Sequence, residues 1–302
     1  MVVVDRGDRG ESGVFDADIS TGSASEAVTP FLAALFLLQW LHYPTAGVPK
    51  ARDGKPNLAA PAPRTADGKP DLTGMWFNLG NEGSCPPDIK GESGECIEKG
   101  LGIGDASLGL PRQAGNIADG MAGGLPYTPW AAALMKQRAA TAGTQDPHSK
   151  CLPPNFPRAY ALPHIQKFIQ TPGLVVILDE FNANYRQIFT DRRPLPEDPQ
   201  PSWNGYSSGK WEGDTLVIQT NGFRDDLWLD MRGDPLTNAA KVTERFRRPD
   251  FGHLEIEVTV NDPKAYTKPW IVKFRQTIVL DTELVDEICA ENEKSMQHMP
   301  GK

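Results

Sequence analysis

The chain reads as a mainly β protein built around an antiparallel barrel, and three observations predict this. Side chains alternate with a period of two over long stretches of the second half. Val242, Glu244 and Phe246 face one way and Thr243, Arg245 and Arg247 the other; Leu254, Ile256, Val258 and Val260 oppose His253, Glu255, Glu257 and Thr259. That periodicity belongs to strands and not to helices. Turn-forming groups fall between the alternating runs, at Pro172-Gly173, Glu212-Gly213-Asp214, Pro249-Asp250-Phe251-Gly252 and Asn261-Asp262-Pro263. The connections are short, so sequential strands can pair. Two packed sheets would share this pattern; the short connections favour closure.

Taken in order, strands are expected near 165–171, 174–180, 185–190, 206–211, 214–220, 241–247, 253–260 and 269–280, with a further strand around Gly74-Met75-Trp76. About eight strands enclose packed side chains or one small ligand. Before them, residues 72–163 read as an irregular wrap, rich in glycine between Phe77 and Pro126 and without an apolar period. One helix interrupts it, capped by Thr128, opened by Pro129 and stopped by Gly143. The barrel proper then occupies 164–292 within a single domain spanning 72–302.

Upstream, residues 1–47 look like a targeting segment. The apolar run 31–41 is too short to span a bilayer and suits the core of a signal peptide, followed by Thr45-Ala46-Gly47, although more acid than base precedes it. A mis-assigned start would account for that charge. Residues 48–71 carry the near repeat Asp53-Gly54-Lys55-Pro56-Asn57-Leu58 and Asp67-Gly68-Lys69-Pro70-Asp71-Leu72, whose proline content predicts a stiff, extended tether. The expected compartment is periplasmic or secreted. There, Cys85, Cys96, Cys151 and Cys289 can form two disulfides; of three possible pairings, Cys85 with Cys96 and Cys151 with Cys289 is preferred.

Net charge is −8, from 31 basic and 39 acidic residues, and no basic face interleaved with aromatics is present. This argues against nucleic acid as a partner. No stretch predicts a stable membrane span, and no spacing specifies a metal or cofactor. There is no C-x-x-C pair, and the loop Asp225-Asp226-Leu227-Trp228-Leu229-Asp230 lacks the twelve-residue calcium spacing. His148 lies close to Cys151, but no second pair accompanies them, so a turn before a disulfide is the better reading. Gly205-Tyr206-Ser207-Ser208-Gly209 matches a nucleophile elbow, yet Ser207 leads into a hairpin and not into the helix that motif requires. Gly100-Leu101-Gly102-Ile103-Gly104 follows no strand and opens no helix, so it predicts no nucleotide loop.

Polar residues within the strands are the candidate acid–base groups: His164, Glu180, Tyr185, Arg186 and Glu244. An inward Glu244 among Val242 and Phe246 would be desolvated toward acid–base use, or bridged to an arginine. Trp203, Tyr206, Trp211, Trp228, Asp230, Arg245 and Trp270 are the candidate ligand contacts, because aromatic faces beside polar groups hold cyclic molecules by stacking and hydrogen bonding. The expected function is binding of a hydrophobic or cyclic small molecule in the barrel. The alternative is a cofactor-free lyase, isomerase or hydrolase using an inward carboxylate, histidine or tyrosine, with arginine stabilising developing charge. A cell-envelope interaction protein, its aromatics serving only packing, is a third reading.

Several strings occur together: Asp67-Gly68-Lys69-Pro70-Asp71-Leu72-Thr73-Gly74-Met75-Trp76, Pro126-Tyr127-Thr128-Pro129-Trp130-Ala131, Cys151-Leu152-Pro153-Pro154, Gln170-Thr171-Pro172-Gly173, Gly209-Lys210-Trp211-Glu212-Gly213-Asp214-Thr215-Leu216 and Asp262-Pro263-Lys264-Ala265-Tyr266-Thr267-Lys268-Pro269-Trp270. Their order resembles a family of predicted exported bacterial proteins of largely unknown function, over residues 65 to 292. The resemblance implies an extracytoplasmic compartment and no particular reaction. Gly74-Met75-Trp76 is also similar to the G-x-W that opens lipocalin barrels; the long insertion after it departs from the lipocalin pattern.

Overall fold

The computed structural model describes residues 43–78, 112–141 and 143–291. The apolar run 31–41 and the expected pair Cys85 and Cys96 lie outside the described residues. Nine strands close into a barrel: β1 (Gly74–Phe77), β2 (Gln166–Thr171), β3 (Leu174–Asp179), β4 (Asn184–Phe189), β5 (Tyr206–Glu212), β6 (Thr215–Asn221), β9 (Lys241–Arg247), β10 (His253–Asn261) and β11 (Trp270–Val279). Around the barrel their order is β1-β11-β10-β9-β6-β5-β4-β3-β2, and β2 returns to β1.

Eight of the nine seams are antiparallel. The seam between β4 and β5 is parallel and brief, pairing only Ile188 with Ser207 and Phe189 with Ser208. Residues 190–205 carry the chain back across so that β5 starts alongside β4, and this long return is why the two strands run in the same direction. Among the described residues two further strands, β7 (Leu227–Trp228) and β8 (Pro235–Leu236), make a separate hairpin. Side-chain alternation could not reveal them, since two residues carry no period.

The alternation read from sequence sets the inner wall. On β9 the inward residues are Val242, Glu244 and Phe246; on β10 they are Leu254, Ile256, Val258 and Val260, the last three paired in register with Phe246, Glu244 and Val242. A short 3₁₀ turn, Arg158–Ala161, is buried throughout and fills the barrel with Tyr160, whose ring lies 4.9 Å from Phe156 and 5.9 Å from both Phe246 and Phe274. The Asn78 side chain donates to the Tyr160 carbonyl (2.7 Å) and Gln166 Nε2 to that of Ala159 (3.0 Å), so these two carbonyls of the buried turn are paired.

Among the described residues there are two α-helices: α1 (Arg112–Gly115), against the Arg158–Ala161 turn, and α2 (Pro129–Ala139), against β8. In α2 the Thr128 hydroxyl accepts from the Ala131 amide (3.2 Å) with Pro129 at the first turn, as the sequence predicts. Residues 48–71, expected as an extended tether, instead lie along the barrel. Each near repeat folds into the same loop, closed by bonds from Ala51 to Lys55 and from Thr65 to Lys69. The Phe251 and Gly252 amides bond the Ala60 and Leu58 carbonyls, which fastens the segment to the β9–β10 turn. Proline stiffened the loops; it did not keep them off the barrel.

Cys151 and Cys289 form a disulfide, the pairing preferred from sequence. No helix among the described residues is long and apolar enough to cross a membrane.

Candidate functional site

Within the barrel, strand alternation brings Arg186 from β4, Ser207 from β5, Thr220 from β6 and Glu244 from β9 to one level, beneath Tyr160. All five are 3% exposed or less, which makes their mutual bonding obligatory. Arg186 Nη1 donates to Glu244 Oε1 (2.8 Å) and to the Tyr160 hydroxyl (2.7 Å), and Nη2 donates to Glu244 Oε2, Thr220 Oγ1 (2.8 Å) and Ser207 Oγ (3.0 Å). Nε also reaches Ser207 Oγ (3.1 Å), and Tyr160 donates to Glu244 Oε1 (2.8 Å). Burial by itself would lower the Arg186 guanidinium; the Glu244 carboxylate and Tyr160 more than reverse this and hold it protonated. Burial, then Glu244, pushes the Tyr160 phenol well above its ordinary value. The network is therefore a guanidinium–carboxylate pair of no net charge with a protonated phenol.

Directly beside it the wall opens. Because β4 and β5 pair at only two residues, Asn184–Gln187 have no register partner on the β5 side. A cleft of about 390 Å³ occupies this gap, lined by Tyr185, Gln187, Trp203, Asn204 and Tyr206, with Arg186 and Ser207 also contributing. Tyr185 is 59% exposed, so its ring is presented to solvent. Tyr206 stacks on Phe189 at 5.3 Å, and the Arg224 guanidinium covers Trp203 at 4.8 Å while bonded to Asp226. Both rings are thus fixed. Asn204 Nδ2 bridges the gap to Asn184 Oδ1 and to the Tyr185 carbonyl (2.9 Å each), but its Oδ1 is buried and accepts no hydrogen bond from the protein.

The other residues singled out from sequence fall elsewhere. Trp228 is buried in β7 with Arg138 4.9 Å above its ring. Asp230 is fully buried, and its Oδ1 accepts from the amides of Arg232, Gly233 and Asp234. Asp230, a candidate ligand contact from sequence, is thus part of a structural corner. Arg245 points outward to Glu212 (3.4 Å) and lines a charged cleft of about 400 Å³ with Arg247, Glu255, Glu257, Lys273 and Arg275. Trp211 packs against the core, and Trp270 meets Tyr266 edge-on at 5.4 Å. Ser207 sits mid-strand, without the strand-to-helix turn of a nucleophile elbow.

At one end of the barrel, His164, Glu180 and Glu287 bring one ligand-type atom each to within 4.8 Å of one another. His164 lies just before β2 and Glu180 just after β3. Sequence reasoning missed Glu287, Asn204 and Tyr160. Tyr160 and Asn204 sit outside any alternating run, and Glu287 is brought in by the Cys151–Cys289 link across 138 residues.

Comparison with protein families, with curated proteins and with solved structures finds no match to this chain.

Proposed function

We propose that this protein binds a small, uncharged cyclic molecule, and that the cleft between β4 and β5 receives it. The observation that carries this reading is the interrupted parallel seam, which leaves a wall opening bordered by Tyr185, Trp203 and Tyr206. Aromatic walls with a few placed polar groups are how proteins hold such molecules. Arg186 is already neutralised by Glu244, so no anionic group is called for.

Binding is favoured over acid–base catalysis because both Glu244 oxygens are taken by Arg186, one of them also by Tyr160. The Cys151–Cys289 disulfide supports a periplasmic or secreted location, where such bonds persist.

The test is a titration of intrinsic fluorescence with a panel of phenols, indoles and monosaccharides. A member that binds should give a saturable change, and Tyr206→Ala should weaken it about 10-fold, the ~1.4 kcal/mol of one lost stacking wall. Trp211→Phe, outside the cleft, should leave affinity unchanged. Saturable binding that is insensitive to Tyr206→Ala, or none across the panel, would overturn the assignment.

A further inference from the structure

We propose that His164, Glu180 and Glu287 form a divalent-cation site of the zinc class, which fastens the segment around Glu287 to the end of the barrel. Three separate stretches of chain supply the ligands, and each is held by bonds that do not involve the ligating atoms. The Glu180 amide donates to the Ile165 carbonyl (3.1 Å), the Glu287 amide to the Glu180 carbonyl (2.8 Å), and the Asn182 amide to the Glu287 carbonyl (2.6 Å). Asn182 continues the clamp: its Nδ2 donates to the Cys151 carbonyl (2.7 Å) and its Oδ1 accepts from the Cys289 amide (3.0 Å). The disulfide closes the same group covalently.

The geometry and chemistry suit a borderline metal ion. Ligand atoms around a tetrahedral zinc with bonds of about 2.0–2.1 Å lie roughly 3.4 Å apart. His164 Nδ1 and Glu287 Oε2 are 3.5 Å apart, and the third ligand closes to that spacing by a side-chain adjustment within the observed 4.8 Å. One Glu180 oxygen accepts the Ile165 amide (2.6 Å), which orients the carboxylate and leaves its other oxygen for an ion. The His164 ring is 4.9 Å from Phe181 and its side chain is 11% exposed, so it is pre-positioned. Two carboxylates converge there, and among the described residues no lysine or arginine is bonded to either. His148, in ring contact with both Phe181 and His164, further fixes the His164 ring. Glu287 is 58% exposed, so water can complete the coordination. An imidazole with carboxylates selects zinc over calcium or magnesium, which prefer all-oxygen shells.

The experiment is calorimetric titration of the full chain, stripped with chelator, with zinc chloride, checked by metal analysis after dialysis. One ion per chain is expected, with calcium giving no heat at equal concentration. Glu287→Gln should weaken binding at least about 10-fold, the lower bound for losing even an outer-shell partner of a metal site. Because Glu287 is exposed, this variant should keep the melting temperature of the stripped protein. Glu283→Gln, which removes only the partner of Lys167, should bind as the parent does. Absence of saturable zinc binding would overturn the proposal. So would equal affinity in parent and Glu287→Gln, which would assign the ion to another site.

Discussion

At the scale of single residues, the deciding question is what a buried charge is doing. Glu244 has 1% exposure and no solvent to turn to, so its worth is visible only when its partner is left behind. Glu244→Gln strands the Arg186 guanidinium, and breaking a buried pair from one side costs about 3–5 kcal/mol. The expected outcome is a large drop in the urea midpoint; an unchanged midpoint would remove the structural assignment and reopen the acid–base reading. Asp230 and Asp234 show a second kind of buried charge. Both are fully buried; Tyr127 donates to Asp234 Oδ1, Asp230 and Asp234 hydrogen-bond to each other through their side chains, and Tyr266, Arg138 and Arg232 complete the surroundings. Burial first, and the Asp234 charge second, push the Asp230 carboxyl well above its ordinary value. A raised carboxyl means that the folded state holds a proton that the unfolded chain releases. Its stabilisation is therefore complete below the unfolded carboxyl range near pH 4 and is lost as pH rises toward the folded value. Asp234→Asn keeps an acceptor for Tyr127 and removes the neighbouring charge. Its stability should fall less steeply than that of the parent as pH rises above about 4, as followed by chemical denaturation at each pH.

At the scale of elements, the strands were legible because each long one carries five or more alternating residues, and β9 was predicted residue for residue. The long runs of β10 and β11 show the same clarity, each ending within a residue of its expected bound. Pairing direction was not legible. Alternation is the same in parallel and antiparallel strands, so the seam that opens the β4–β5 cleft left no mark, and with it most of the candidate site stayed hidden. Trp203, Tyr206, Tyr185 and Arg186 were picked out singly; nothing in their spacing told that they border one opening while Trp228 and Asp230 lie in a packed corner. The docking of residues 48–71 leaves no mark in the sequence for a related reason, since these loops bond to chain almost 200 residues away. Gly252 is the point of closest approach: a Cβ there would stand 2.5 Å from Leu58 Cβ and 3.0 Å from the Leu58 carbonyl oxygen. Backbone cannot yield as a flexible side chain can, so Gly252→Ala should lever this segment off the β9–β10 turn at a cost of about 1–3 kcal/mol. Faster amide exchange at Phe251, whose bond to Ala60 would break, is the expected signature, with β2 and β3 unaffected. Uniform loosening of the whole barrel would show instead that the contact is part of the core.

At the scale of the whole molecule, one covalent link spans nearly all of the barrel. Cys151 and Cys289 are 138 residues apart, so the disulfide encloses eight of the nine barrel strands and leaves out β1 alone. A loop this long removes much of the entropy of the unfolded chain; the chain-entropy relation gives roughly 5 kcal/mol, and native disulfides measured by removal give about 2–5. The barrel itself is closed by β1, which bonds β11 on one side and β2 on the other. Closure of the sheet therefore does not depend on the disulfide, and the two devices act on different states: pairing stabilises the folded barrel, the cross-link restricts the unfolded chain. It follows that Cys151→Ser with Cys289→Ser should retain the strand signal in circular dichroism while losing about 2–5 kcal/mol in a urea titration. If the secondary-structure signal collapsed in the absence of denaturant, the link would be a condition for folding and not a restraint on the unfolded state. The same variant should also let the Glu287 segment leave the barrel end. Its zinc affinity should then fall together with that of Glu287→Gln, while ligand binding at the β4–β5 cleft, built on strands inside the sheet, should persist.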